Sequence, residues 1–318
     1  YLKPMNCPHH HTIFMGRPHS YRELPIRYAE YGTVYRNEKS GQLFGLMRVR
    51  GLCQNDAHIY CSQEQAVDEF VDAIKLHEYY YKILGITNFH MLYAVRDDKK
   101  IDKYHDDKEM WERAEKITHS AIEKSGIPYK IDVGGAAHYG PKADFVLVSA
   151  IGKEFSISTV QADMYMPSRF GMTFTYAAGE EETPVVLHRA PLGSHERFIG
   201  FLIEHYAGAF PVWLSPVQVV VSGVAERHDD YAYEIHKRLL ELGIRSEVSD
   251  AASDSLGSRI RKAKTEKIPY ILVVGDEDIE ARTVGVNRRG QENPERGVSL
   301  DKFIDSLVEK IQTKSLEV

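Results

Sequence analysis

Residues 35–61 read YRNEKSGQLFGLMRVRGLCQNDAHIYC, with arginines and acids recurring on both sides of a glycine-containing turn. Arg36 and Glu38 precede Ser40 and Gly41; Arg48, Val49 and Arg50 follow, and then Gln54, Asn55 and Asp56. The spacing reads as two strands joined by a polar turn, with the charged side chains repeatedly on one face. Two accounts fit. Cross-strand ion pairs would make the stretch a solvated hairpin. Free guanidinium forks would make it an anion-binding sheet that grips a carboxylate or a phosphate.

A second dense stretch, residues 185–210, reads VVLHRAPLGSHERFIGFLIEHYAGAF. It is patterned as a strand, a Gly-Ser turn and an amphipathic helix whose first turn carries Arg197. A helix N-terminus with an arginine is a good seat for a phosphate, although a single arginine there more often simply faces solvent.

Around these stretches, residues 66–84 and 110–124 have apolar side chains at helical spacing, each followed by a glycine, Gly85 and Gly126. Residues 89–95, 144–149 and 154–164 are rich in β-branched and aromatic residues and read as strands. Strands broken by long helices without a βαβ rhythm predict an α+β fold with an antiparallel sheet. From Pro216 the rhythm changes: strands at 217–222, 245–248 and 270–274 alternate with helices at 230–242, 256–265 and 301–314, which predicts a smaller α/β domain. The boundary is read as 1–215 and 216–318.

Two domains accord with 318 residues. The net charge of -6 argues against a surface coated in positive potential. A local basic run, residues 259–267 (RIRKAKTEK), could still meet phosphates or merely form a solvated helix face. Cys7, Cys53 and Cys61 are too few for a disulfide framework, so a reducing, cytoplasmic setting is expected. No apolar run is long enough to cross a bilayer, so no membrane partner is expected. The opening residues carry no initiator Met, which suggests a piece of a longer polypeptide. Residues 135–142 (GAAHYGPK) have proline where a phosphate-binding Walker loop needs lysine, and no Gly-x-Gly-x-x-Gly follows a strand. Nucleotide chemistry would need another scaffold.

Taken in order, LKPMNCPHH (2–10), SYRELPIR (20–27), YRNEKSG (35–41), LMRVRG (46–51), QNDAHIYC (54–61), AHYGPK (137–142), STVQADMYMPSRF (158–170) and HRAPLGSHERFIGFL (188–202) resemble the threonyl-tRNA synthetases, a family of class II aminoacyl-tRNA synthetases. The tail from Pro216 resembles the anticodon-binding domain of class IIa enzymes. The resemblance implies a class II antiparallel sheet flanked by helices, then a smaller α/β anticodon-binding domain. It implies a ligase that activates threonine with ATP and passes it to the 3′ end of threonine tRNA. Motif 1, which builds the homodimer interface in this family, is expected upstream of Tyr1, as are the domains that hydrolyse seryl-tRNA in many members.

Residue by residue, the resemblance implies a Zn²⁺ ion on Cys7, His58 and His188, one per chain, and Mg²⁺ arriving with ATP. Three protein ligands leave an open position, as in catalytic zinc sites. Asp56 matches the acceptor for the threonine hydroxyl, and Gln54, Tyr139 and Gln161 match residues lining the amino-acid pocket. Arg36 matches the motif 2 arginine that bridges the substrate carboxylate and the α-phosphate. Glu38, Arg48, Thr159 and Ser194 fall on the ATP side, and Arg197 matches the motif 3 arginine of the γ-phosphate and adenine. His9, His10 and His11 are expected at the surface or behind the ligands, and Cys53 and Cys61 as small apolar groups.

Two positions depart from the family. Leu52 stands where an aromatic often covers adenine, and Asn287 where an anticodon-contacting arginine is expected, with Arg288 and Arg289 close enough to substitute. The alternatives are a noncatalytic tRNA-binding or regulatory relative, or a class IIa synthetase for proline, glycine or histidine, which lacks this zinc set.

Overall fold

A computed structural model of the chain describes residues 1–149 and 151–318. The chain divides into two compact units, residues 1–204 and 205–318.

In chain order the first unit contains α1 (Cys7–Met15), β1 (Ile26–Tyr35), β2 (Gly51–Cys61), α2 (Ala66–Ile83), β3 (Phe89–Val95), α3 (Lys108–Ser125), β4 (Tyr129–Val133), β5 (Lys142–Val148), β6 (Glu154–Asp163), α4 (Tyr165–Phe170), β7 (Phe174–Thr175), β8 (Glu181–Glu182), β9 (Val185–Ala190) and α5 (His195–His205). A seven-stranded sheet runs β1-β2-β9-β6-β5-β3-β4. Its pairs are antiparallel except β3 with β4, as expected for an α+β unit.

The sheet needs helices because its central strands have apolar residues to bury on one face. α2 and α3 supply them: Phe70, Ile74, Tyr81, Trp111 and Ile122 are fully buried, beside Met91 and Phe145 of the strands. Asp107 starts α3 by accepting a hydrogen bond from Met110 N at 2.9 Å, and the helix stops at Gly126. The other face carries the polar row described below.

The second unit contains β10 (Val219–Gly223), α6 (Asp229–Glu241), β11 (Ser246–Ser249), α7 (Leu256–Thr265), β12 (Tyr270–Val274), α8 (Asp276–Ala281), β13 (Thr283–Arg288), β14 (Glu295–Ser299) and α9 (Leu300–Gln312). Its sheet runs β11-β10-β12-β13-β14, parallel across the first three strands and antiparallel beyond them. Alternation along the strands divides the core. Val219, Val221, Leu272 and Val274 pack under α6 and α9, and Val220 and Ile271 pack under α7.

Residues 205–215, read from the sequence as the end of the first domain, belong to the second unit. Val212 is buried in its larger core. Arg245 Nη2 donates to Trp213 O at 2.9 Å and Ser215 O at 2.8 Å. Arg289 Nη2 donates to Phe210 O at 2.6 Å. Eight elements have no counterpart in the sequence reading: α1, β4, α4, β7, β8, α8, β13 and β14. Among the described residues no helix is long and apolar enough to cross a membrane.

Candidate active site and metal centre

Cross-strand register assembles the site. His58 of β2 pairs with His188 of β9, and His188 with Gln161 of β6. Gln161 in turn pairs with Lys142 of β5. Residues directly opposite on neighbouring strands share a face, so these four side chains form one row on the face away from α2 and α3. Period-two alternation adds Gln54 and Asp56 from β2 and Thr159 from β6 to the same face.

The segment before β1 completes a donor cluster. Proline follows Cys7 at the first turn of α1, and the helix lays Cys7 beside the row. Donor atoms of Cys7, His58 and His188 all lie within 4.8 Å of one another, with Cys7 Sγ 3.7 Å from His188 Nδ1. The rings of His58 and His188 meet edge to face at 4.6 Å.

The set suits a borderline-soft cation: one thiolate, two imidazoles, and room for further ligands. His58 Nε2 is buried and has no hydrogen-bond partner, a cost that coordination would remove. His188 Nε2 is 3.0 Å from Asp163 Oδ2, which leaves Nδ1 for the cluster and reproduces the carboxylate–imidazole pairing behind metal ligands. Burial, with the neighbouring imidazoles, pushes the His58 pKa far below the ordinary histidine value. That keeps the ring neutral, as a ligand must be. Burial acts the same way on His188, but Tyr139, the Asp163 carboxylate and the Cys7 sulfur outweigh it and raise its pKa well above the ordinary value. A bound cation would displace that proton from Nδ1.

Asp56 sits beside the cluster and is nearly buried. Asn6 Nδ2 donates to its Oδ2 at 3.0 Å. Burial raises the Asp56 pKa, against the Asn6 hydrogen bond and the nearby histidines, which lower it. Tyr139 donates its hydroxyl to Gln161 Oε1 at 2.6 Å and lies 5.6 Å, ring to ring, from His188.

Next to this cluster is a cavity of about 290 Å³ lined by Arg36, Leu52, Gln54, Thr159, Gln161, Ser194 and Arg197, together with Lys142. Gly193 brings the last two expected residues into it. Its φ is +62°, and a Cβ would lie 2.1 Å from Ile157 O, so only glycine allows the turn to press against β6. Ser194 Oγ then accepts from Arg197 N at 3.3 Å. Arg197 Nε donates to Met47 O at 3.0 Å. Burial first, then the neighbouring Arg36 and Arg48 charges, depress the Arg197 pKa. Guanidiniums crowded in this way favour an anion between them.

The hairpin read from residues 35–61 differs from the structure. β1 ends at Tyr35 and β2 starts at Gly51, so Arg36, Glu38, Arg48 and Arg50 lie on the connecting loop and not on strands. The ion-pair account holds for one pair, Arg48 Nε donating to Glu38 Oε2 at 3.0 Å, while Arg36 lines the cavity. Glu38 and Arg48 do not line it. His10 and His11 are buried, His10 against His58 and His11 against Tyr60; of the three histidines only His9 stays away from the ligands' rear. Cys61 is fully buried and Cys53 partly so.

In the second unit Asn287 lines a cavity of about 670 Å³ with Glu277, Asn287's neighbour Gly285, and Arg296. Asn287 also lines a smaller cavity, of about 220 Å³, with Lys264, Arg288 and Arg289, and Arg289 is tied to the backbone besides. Its guanidinium donates to Lys267 O at 2.5 Å and to Ala209 O and Phe210 O.

Sequence reasoning missed Asp163, Asn6 and Lys142 as members of the site. Period two from Gln161 puts Asp163 on the site face, a signal present in the tripeptide QAD. Asn6 carried no comparable signal, because its contact spans fifty residues.

The profile for the tRNA synthetase class II core domain (G, H, P, S and T) matches residues 1–206, and that for the anticodon binding domain matches residues 218–310. A solved structure titled as the RNA binding domain of threonyl-tRNA synthetase from Cryptosporidium parvum Iowa II superposes with a TM-score of 0.90 at 34% identity, covering 96% of this chain and 76% of that one. The chain belongs to the threonyl-tRNA synthetase family. A putative family member from Aeropyrum pernix, ThrRS-1, is 30% identical with a TM-score of 0.79, over 97% of this chain and 75% of that one. Threonine–tRNA ligases of Chloroherpeton thalassium and Thermus thermophilus are each 47% identical, over 99% of this chain and 48% of theirs. The chain thus spans about half the length of these curated family members. A Giardia lamblia prolyl-tRNA synthetase, 17% identical with a TM-score of 0.70 over 99% of this chain and 62% of that one, shares the fold.

Proposed function

We propose that this chain carries the catalytic core and anticodon-binding part of a threonine–tRNA ligase, a cytoplasmic enzyme of protein synthesis that is a homodimer at full length. The observation that supports it best is the adjacency of the Cys7, His58 and His188 cluster to the arginine-lined cavity, joined through Gln161 and Tyr139.

Threonine sits with its carboxylate toward the arginines and its side chain toward Asp56. Arg36 holds the carboxylate beside the α-phosphate of ATP, and Arg197 holds the γ-phosphate. Leu52 and Arg197 flank adenine, Thr159 and Ser194 line the nucleotide side, and the Glu38–Arg48 pair steadies the loop over it. Mg²⁺ enters as the counterion of ATP. A threonine carboxylate oxygen attacks the α-phosphorus in line; the new O–P bond forms as the bond to pyrophosphate breaks. The arginines neutralise charge on the phosphoryl oxygens, and positioning supplies most of the rate. In the second step a ribose hydroxyl of the tRNA 3′ end attacks the carbonyl carbon and AMP leaves.

Zn²⁺ on Cys7, His58 and His188 would act as a Lewis acid that takes the amino group and hydroxyl of threonine as ligands. Gln54, Gln161 and Tyr139 border the amino group, and Asp56 accepts the hydroxyl proton in a hydrogen bond. Valine offers no hydroxyl, leaves buried polar groups unpaired and is rejected strongly; serine is not.

The test is ATP–pyrophosphate exchange with threonine, serine, valine, proline, glycine and histidine, run on the 318-residue chain and on a chain extended at its N-terminus. Exchange with threonine, weaker with serine and absent with the others is expected. Exchange driven by proline, glycine or histidine, or none in either chain, overturns the proposal.

A further inference from the structure

The two imidazoles of the cluster are held unequally from behind. His188 turns Nε2 to the buried Asp163 carboxylate at 3.0 Å, a direct pairing. His58 meets another ring instead: its Nδ1 is 2.7 Å from His10 Nδ1, while its Nε2 is buried without a partner. Two ring nitrogens this close need one hydrogen between them. A neutral His58 that offers Nε2 to a cation carries its hydrogen on Nδ1 and donates it, so His10 Nδ1 must be bare. The hydrogen of neutral His10 is then on Nε2, and that atom lies 3.4 Å from Glu30 Oε1.

We propose that Glu30 and His10 form a relay that fixes the tautomer of His58, Glu30 acting through one intervening ring as Asp163 acts on His188 directly. Both are positioning residues, and the inference rests on the zinc reading above. The topology explains the extra ring. Glu30 lies opposite Asp56 in the β1–β2 register, two residues along β2 from His58, and α1 lays His10 across the gap. Tyr28, opposite His58, packs its ring 5.7 Å from that of His10. Lys3 Nζ approaches the other Glu30 oxygen, Oε2, at 3.6 Å, which leaves Oε1 for the imidazole.

Zinc affinity of the 318-residue chain, measured by competition with a chromogenic chelator, tests the relay, and the visible spectrum of the Co²⁺-loaded protein reports ligand geometry independently of activity. His10→Asn keeps an acceptor oxygen near the Nδ1 position, whereas His10→Phe keeps the ring volume and loses the acceptor. Affinity should fall about 10- to 100-fold in His10→Phe, and His10→Asn should recover most of it with a near-normal cobalt band. Glu30→Gln, a partly exposed site that spares the core, should weaken zinc in the parent chain and add nothing in the His10→Phe background. Equal affinity in the Phe and Asn variants, or an undiminished Glu30→Gln effect in the His10→Phe background, overturns the relay while leaving the metal site standing. A parent chain that takes up no zinc overturns the metal reading and the relay together.

Discussion

Asn6 donates its side-chain amide to the Asp56 carboxylate at 3.0 Å, and Gly32 makes room for it, since a Cβ at that position would lie 2.3 Å from Asn6 Oδ1. The acceptor proposed for the threonine hydroxyl is therefore aimed by a residue from before α1 that crosses β1 at its glycine. Gly32→Ala should push Asn6 aside. Asn6→Ala should leave a buried carboxylate without its donor, costing roughly 1–3 kcal/mol of stability. In both variants the KM for threonine should rise while that for ATP holds, read from pyrophosphate exchange with each substrate varied. A rise confined to ATP would separate Asp56 from the amino-acid pocket.

The crowding of Arg36 and Arg48 on Arg197 predicts a loss that a neutral side chain cannot make good. Arg197→Ala should lower the exchange rate roughly 10²- to 10³-fold. Arg197→Lys should recover only part of it, because one ammonium cannot replace a fork that also holds Met47 O.

Removing the metal should act on threonine more than on ATP. Purified protein should hold about one zinc per chain, and Cys7→Ser or His188→Ala should abolish tight binding. Equilibrium dialysis with labelled ATP should find nucleotide binding preserved in those variants. Loss of ATP binding along with the metal would mean that the cluster organises the whole site.

His77 gives the fold an acid-sensitive element on the helix-covered face of the sheet, behind the strands that carry the site. It is fully buried and stacked on Phe145 at 4.3 Å. Burial lowers its pKa to about 4, from an ordinary value of 6.5, although its hydrogen bond to Ala73 O opposes the shift. The unfolded chain takes up a proton near pH 6.5, which the folded chain refuses until about pH 4. Its contribution is thus complete above pH 6.5 and is lost as pH falls through that window, by roughly 3 kcal/mol. Urea titrations at pH 7 and pH 4.5 should show this loss in the parent and not in His77→Phe.

Arg289 should prove structural. Its guanidinium is committed to the carbonyls of Lys267, Ala209 and Phe210. Arg289→Ala should destabilise the second unit by about 1–3 kcal/mol without changing the salt dependence of tRNA binding. Neutralising Arg261 and Lys262 should flatten that dependence.

The sequence was most legible where structure is local. Helices α2 and α7 follow from their apolar spacing, and strands β3 and β12 from short runs of β-formers, to within a residue. Helix α1 was not legible, because CPHHHTIFM carries little amphipathic pattern and its burial is imposed by β2. Strands β13 and β14 alternate weakly and close an antiparallel edge that only pairing with β12 supports. The proposed zinc ligands came from resemblance, since Cys7, His58 and His188 stand on three segments that only sheet register unites. Asn6 and Glu30 stayed hidden for the same reason: each acts on a residue it meets only after the strands have paired, whereas Asp163 left a period-two signal beside Gln161 and His10 was expected at the surface or behind the ligands.

That pairing leaves a chemical signature. His188 and Arg189 are adjacent in β9, and one of them faces the donor cluster while the other faces away. Had β9 zipped one residue out of step, the cluster would receive Leu187 or the cationic Arg189 in place of an imidazole. Such a molecule could keep most of its hydrogen-bonded ladder and still be unable to hold the ion. On the zinc reading, the fraction of a refolded sample that retains zinc against a chelator would be a census of correctly zipped sheets.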